Sequence, residues 1–124
     1  LNPGFYPDYL TMQGMLSEGY EDLAEHLDIG ANDVFIAPVG AAFQYVHENH
    51  DSEIFRRLYS GDGSHPSISG SYLASQVFFA TMTGTSPVGL GSLPPGMNEE
   101  ERDILQEVAE EVVLSENAPD HWSR

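Results

Sequence analysis

Apolar residues recur every three or four positions in three stretches of the chain, the spacing that places them on one face of an α-helix. From Thr11 to Asp28 these residues are Met12, Met15, Leu16, Tyr20, Leu23, Ala24 and Leu27. The pattern predicts an amphipathic helix packed on one face of a sheet and ended by Gly30 and Asn32.

A second stretch predicts a helix that Ser67 or Ser69 caps, that runs to about Thr83 and that stops at Gly84. Its apolar positions are Tyr72, Leu73, Val77, Phe78 and Met82. Two shorter helices are expected before it, over residues 41–47 and 52–59, the second burying Ile54, Phe55 and Leu58.

The third stretch predicts a terminal helix over residues 98–114, with Asn98 and Glu101 as a capping box. Its apolar face consists of Ile104, Leu105, Val108, Ala109 and Val112. The Gly- and Pro-rich residues 85–97 are predicted to be a linker, and residues 115–124 a frayed tail.

A different pattern, short and rich in β-branched and aromatic residues, runs from Asp33 to Val39 and predicts the one clear strand. A lone strand has no ladder partner, so its backbone donors and acceptors would go unpaired. We therefore expect Val34–Ala37 to pair with a strand from outside this sequence or to lie at an open edge.

Charge narrows the range of partners. Twenty acidic residues face four arginines, for a formal net charge of -16 over 124 residues. Such a chain repels nucleic-acid phosphates and anionic lipid headgroups, so neither is an expected partner. The acidity fits either a solvated surface or part of a divalent-cation site.

The sequence has no cysteine, and it has no apolar run long enough to span a bilayer. It leaves the cellular compartment open, and a secreted or periplasmic soluble protein is among the possibilities.

The residues with the clearest chemical potential lie in the Gly-rich segment 58–67, which holds Asp62, Gly63, Ser64, His65 and Pro66. A carboxylate three residues before a histidine on a turn can reach one ring nitrogen, while the other nitrogen takes a proton from a serine hydroxyl. The competing interpretation is a plain turn with an exposed histidine. Ser64 itself is read as a loop residue.

Other candidate groups have two interpretations each. His47 and His50 are either a metal pair or a solvated helix end, and no further ligand at a suitable spacing completes a zinc site. Arg56 and Arg57 either bind an anionic substrate group or pair with nearby acidic residues. Aromatic residues such as Phe43, Tyr59 and Tyr72 either line a pocket or pack in the core.

Three segments in order resemble the C-terminal part of the SGNH (GDSL-like) hydrolases. They are the PVGAA turn after the strand, the DGSHPS loop and the GSYLA helix start that leads to Pro87. The resemblance covers roughly residues 12–113. It implies a three-layer α/β/α flavodoxin-like fold, of which residues 1–114 form the C-terminal half, and a serine esterase acting on a small ester such as an acetylated carbohydrate or lipid. His65 and Asp62 would be its catalytic base and orienting acid, and no cofactor or metal is implied.

The Gly-Asp-Ser block that carries the nucleophile in this family, and its further oxyanion donors, have no counterpart in the sequence. The rest of the same protein, or another chain, would have to supply them and complete the sheet. The alternative is a catalytically inactive SGNH-like binding or structural subunit. In either case we expect residues 1–124 alone to be poorly folded and to hydrolyse no ester.

Overall fold

The computed structural model describes residues 8–27 and 33–123, and these residues are helical with irregular connections. The predicted end of the first helix at Gly30 and Asn32 lies outside the described residues. The helices are α1 (Tyr9–Leu27), α2 (Val39–Asn49), α3 (Ser52–Arg57), α4 (Ile68–Thr83) and α5 (Glu99–Leu114), followed by a 3₁₀ turn, Asp120–Trp122.

The core lies where α4 and α5 pack along each other and α2 contacts both. Leu73 and Val77 of α4 and Leu105 of α5 are completely buried there, as the apolar spacing predicted. The remaining buried apolar side chains are Ala42, Phe43, Val46, Leu58, Tyr72, Ala80, Met97, Val108, Ala109, Val112 and Val113. One continuous cluster therefore joins three helices to the end of α3.

Helix ends follow the predicted capping residues. The Ser67 hydroxyl accepts a hydrogen bond from the Gly70 amide at 3.2 Å, and Asn98 Oδ1 accepts one from the Glu101 amide at 2.8 Å. Gly84 ends α4 in the left-handed region at φ 63°, which glycine adopts without a Cβ clash. These local signals were sufficient to set the bounds of α4 and the start of α5.

The expected α/β fold is wrong for the described residues, which contain no sheet. Residues 33–38 have no regular secondary structure, and no strand pairs with them within the described chain. Ile36 donates its amide to the His121 carbonyl at 2.8 Å, and that bond comes from the C-terminal segment rather than from a β-ladder. Since a strand is defined by its partner, the β-type pattern of this segment did not lead to a strand.

The apolar stripe of α1 is largely uncovered, although the helix forms where the spacing predicted it. Leu16 is 41% exposed, Leu23 53% and Leu27 56%, and on α4 Phe78 is 50% exposed. These side chains, together with residues 34–41, line a groove of about 500 Å³. We call this surface the α1 groove. The expectation that Phe78 and Met82 are buried is wrong, because Met82 is 66% exposed as well.

Two segments expected to be loose are attached to the core. Within residues 85–97, Pro87 is fully buried, and the Gly89 amide donates to Gln106 Oε1 at 3.1 Å. In the tail, Trp122 packs against the core cluster. The glycines and prolines of residues 85–97 fit a packed connection as well as a free linker, which is why composition alone misread it.

Candidate functional site

The segment between α3 and α4 folds into a short hairpin, here called the His65 loop (residues 58–67). Its base is closed by the Ser67 amide donating to the Leu58 carbonyl at 2.9 Å, and its middle by the Ser60 amide donating to the His65 carbonyl at 2.7 Å. Gly63 turns the tip at φ 68°, a conformation that favours glycine. The loop therefore has a defined shape although it lies on the surface.

Asp62 organises the tip of this loop. Its Oδ1 accepts hydrogen bonds from the Ser60 hydroxyl at 2.7 Å and from the amides of Ser64 and His65, each at 2.9 Å. Its Oδ2 lies 2.5 Å from His65 Nδ1. One carboxylate thus fixes both the backbone of the turn and the ring that follows it.

The same hydrogen bonds keep Asp62 in its ionised form. The amides of His65 and Ser64, then the His65 ring and the Ser60 hydroxyl, hold the pKa of Asp62 well below its ordinary value of 3.8. At neutral pH Asp62 is therefore ionised and can only accept. In a neutral His65 ring the hydrogen must then sit on Nδ1, and Nε2 keeps its lone pair.

The ring is open to its surroundings. The His65 side chain is 79% exposed and that of Asp62 51%. A shallow depression begins directly after the histidine and is mainly apolar; it is lined by Pro66, Ser67, Ile68, Ser71, Tyr72 and Pro94. The imidazole is therefore held from one side and accessible to a reacting group on the other.

Below the loop, aromatic rings connect it to the core. Tyr59 packs edge-on against Phe43 and against Phe55, with ring centroids 5.6 Å apart in both pairs. Burial raises the pKa of the Tyr59 hydroxyl, so this phenol stays neutral. Phe43 and Tyr72 are core residues, as the packing interpretation held, and Tyr72 also contributes to the depression beside the loop.

The two interpretations of the paired basic residues are now distinguished for Arg57. Its Nη2 lies 2.8 Å from Glu101 Oε2, a partner 44 residues away. Arg57 thus pairs with an acidic residue, but not with one near it in sequence, because the fold brings the start of α5 against the end of α3.

The histidine pair His47 and His50 does not form a metal centre. Among residues 8–27 and 33–123, no group of three or more histidine and acidic side chains is arranged to hold a metal ion. The His47 ring instead packs against Phe55, with centroids 4.8 Å apart, and against Tyr9 at 5.2 Å. His47 is exposed in the last turn of α2, as the solvated-helix-end interpretation held, and its ring also packs against these two aromatic side chains.

Two residues that shape the site were not identified as such from the sequence. Ser60 donates its hydroxyl to Asp62, and Glu101 accepts from both Arg57 and Ser69. Ser60 lies within the motif itself, so its position two residues before Asp62 was a usable signal. Glu101 carried no such signal, because its spacing from Asn98 was already explained by helix capping.

No helix in the described part of the chain has the length and apolar character needed to cross a membrane. No family model, curated protein or solved structure matches this chain. The resemblance to SGNH hydrolases therefore rests on the sequence segments themselves, and the chemistry must be argued from the geometry of the His65 loop.

Proposed function

We propose that this chain carries the acid–base half of a serine esterase of the SGNH type, with His65 as the base and Asp62 as the residue that orients it. The observation that carries the proposal is the 2.5 Å contact between Asp62 Oδ2 and His65 Nδ1 in a ring that is 79% exposed. A histidine held by one nitrogen and free at the other is the arrangement that general-base catalysis requires.

The proton path follows from this geometry. His65 Nε2 takes the proton of a serine hydroxyl as that oxygen attacks the ester carbonyl, and the ring becomes an imidazolium. Asp62, already ionised, stabilises that charge without taking the proton. Nε2 then returns the proton to the departing alcohol oxygen. The serine of a Gly-Asp-Ser block and the further oxyanion donors have no counterpart in this sequence and would be supplied by the rest of the same protein or by another chain.

The neighbouring surface supports a small ester as substrate. The depression next to His65 has Pro66, Ile68 and Pro94 in its lining, and Ile68 is 58% exposed. An apolar surface of this kind suits a short acyl group or the carbon skeleton of a small alcohol. Its hydroxyl groups, from Ser67 and Ser71, suit a substrate that also carries polar substituents.

The proposal includes a partner for the α1 groove. Leu16, Leu23 and Leu27 of α1 are exposed and line this groove together with residues 34–41. We therefore assign the α1 groove to contact with the remainder of the hydrolase domain. A second copy of this chain is disfavoured, since both copies would carry a charge of -16.

The test is ester hydrolysis by the protein at its full native length, with short-chain nitrophenyl esters as substrates. His65→Ala is expected to lower kcat by about 10⁴-fold or more, as removal of a triad base does. His26→Ala, at an exposed position on α1, is the matched control and should keep the parent activity. Unchanged hydrolysis in His65→Ala would overturn the assignment, and no hydrolysis by the parent protein would favour the inactive subunit.

A further inference from the structure

One buried carboxylate ties together the two elements that flank the His65 loop. Glu101, in the first turn of α5, is only 7% exposed. Its Oε2 accepts from Arg57, the last residue of α3, at 2.8 Å, and its Oε1 accepts from the hydroxyl of Ser69, in the first turn of α4, at 2.6 Å. The helix before the loop and the helix after it are thus joined through a third helix.

The loop depends on these flanking residues for its placement. Residues 61–66 are exposed, so the tip itself has little support from the core. The loop is closed at its base by the bond from the Ser67 amide to Leu58, and the Ser67 hydroxyl donates to the Arg57 carbonyl. Glu101 therefore acts on Arg57 and Ser69, which lie next to the two ends of this closure.

The carboxylate is also used differently from what helix capping would require. A capping-box glutamate reaches back to the amide of its own cap residue. Here the Asn98 side chain accepts a hydrogen bond from the Glu101 amide at 2.8 Å, but the Glu101 carboxylate accepts from residues of α3 and α4. Since the group is buried, its bonds to a charged and a hydroxyl donor are stronger and more directional than a surface contact would be.

We propose that Glu101 is the positioning residue of the His65 loop, holding both of its ends so that the imidazole is presented in one place. The catalytic consequence rests on the proposed esterase function, while the structural consequence does not. Loss of the carboxylate would free the ends of the loop and shift His65, and a displacement of about 1 Å at a reacting group can cost about 10²-fold in rate.

The experiment compares Glu101→Ala with Glu100→Ala, a neighbouring exposed position, in the protein at its full native length. Amide hydrogen exchange should accelerate about tenfold or more at Ser60 and Ser67, whose amides close the loop, while the amides in the middle of α4 and α5 keep their protection. In Glu100→Ala all of these amides should exchange as in the parent protein. Uniform acceleration across the core, or none at the loop, would overturn the proposal.

Kinetics provide the second measurement. With nitrophenyl esters, Glu101→Ala is expected to lower kcat about 10²-fold with little change in KM, because substrate contacts are kept and the base is displaced. Glu101→Gln, which keeps the shape and a hydrogen bond to Ser69, should recover part of the loss and serves if the alanine variant fails to fold. Parent kcat in the glutamine variant together with unchanged loop exchange would contradict the positioning role. If the parent hydrolyses no ester, the exchange experiment still decides the role of Glu101 while the esterase proposal fails.

Discussion

At the scale of single residues, the Asp62–His65 pair shows how much of a site a few adjacent side chains can build. Every hydrogen bond that Asp62 accepts comes from residues 60–65, so the turn needs nothing from the rest of the fold to bring the two side chains together. This is why the contact between them could be predicted from a spacing of three. The position of the pair relative to the core could not be predicted in this way, because it depends on Glu101, which lies 36 positions beyond His65.

The lowered pKa of Asp62 predicts a specific response to acid. A carboxyl group whose pKa is lower in the folded than in the unfolded state stabilises the fold above the unfolded value, and this contribution is lost as the pH falls through the folded value. We therefore expect the turn to persist from neutral pH down to about pH 3.8, which is the ordinary pKa of an aspartate side chain, and to open only below that pH. NMR titration of the Ser64 amide, which donates to Asp62, measures this directly. An amide shift with a midpoint at or above 3.8 would contradict it, and in Asp62→Asn the titration should disappear.

At the scale of elements, the helices are set by local signals, while their close approaches are set by packing. Ser67, Gly84 and Asn98 mark helix ends that the sequence indicates correctly. Gly70 has a different role, which sequence reasoning did not assign. A Cβ on Gly70 would collide with the Leu58 carbonyl oxygen and approach the Phe43 ring, so the start of α4 lies directly against the base of the His65 loop.

Two glycine substitutions on helices are therefore expected to have opposite effects. Gly70→Ala should destabilise the protein by about 2 kcal/mol. The added methyl group forces the base of the loop away, and the cost of this displacement is larger than the gain in helix propensity. Gly14→Ala, on α1 where nothing lies within 4 Å of the added carbon, should stabilise by up to about 1 kcal/mol. Thermal unfolding of the two variants measures the difference. Stabilisation by both substitutions would show that the base of the loop yields easily.

At the scale of the whole molecule, the described chain has a closed side and an open side. The α2, α4 and α5 core is continuous, whereas apolar residues of α1 and residues 34–41 line a groove that nothing in the described chain fills. The strand expected at Val34–Ala37 does not form in the described chain, whereas the poor folding of residues 1–124 on their own stays a prediction.

Exposure of the α1 groove predicts the solution behaviour of residues 1–124 alone. We expect broad thermal unfolding and strong fluorescence of an apolar dye such as anilinonaphthalene sulfonate, since large exposed apolar patches bind such dyes. Replacing both Leu16 and Leu23 by glutamine should reduce the fluorescence without lowering the unfolding temperature, because Leu16 is already 41% exposed and Leu23 53% exposed. Glu25→Gln on the same helix is the control. A sharp cooperative transition with no dye binding would show that this chain is a complete small domain.

The sequence by itself determined those features whose causes lie within a few residues of each other. Helical spacing placed α1, α4 and α5, cap residues set several of their ends, and the three-residue interval between Asp62 and His65 brought a carboxylate to a ring nitrogen. Tertiary structure decided whatever needs a partner distant in the chain. Residues 33–38 form no strand because a ladder needs a second strand, and the α1 stripe is exposed because no described element fills the groove beside it. Glu101 serves the His65 loop because the fold brings the start of α5 to Arg57 and Ser69. A local pattern shows what a segment is able to do, and the neighbours that it meets decide what it does.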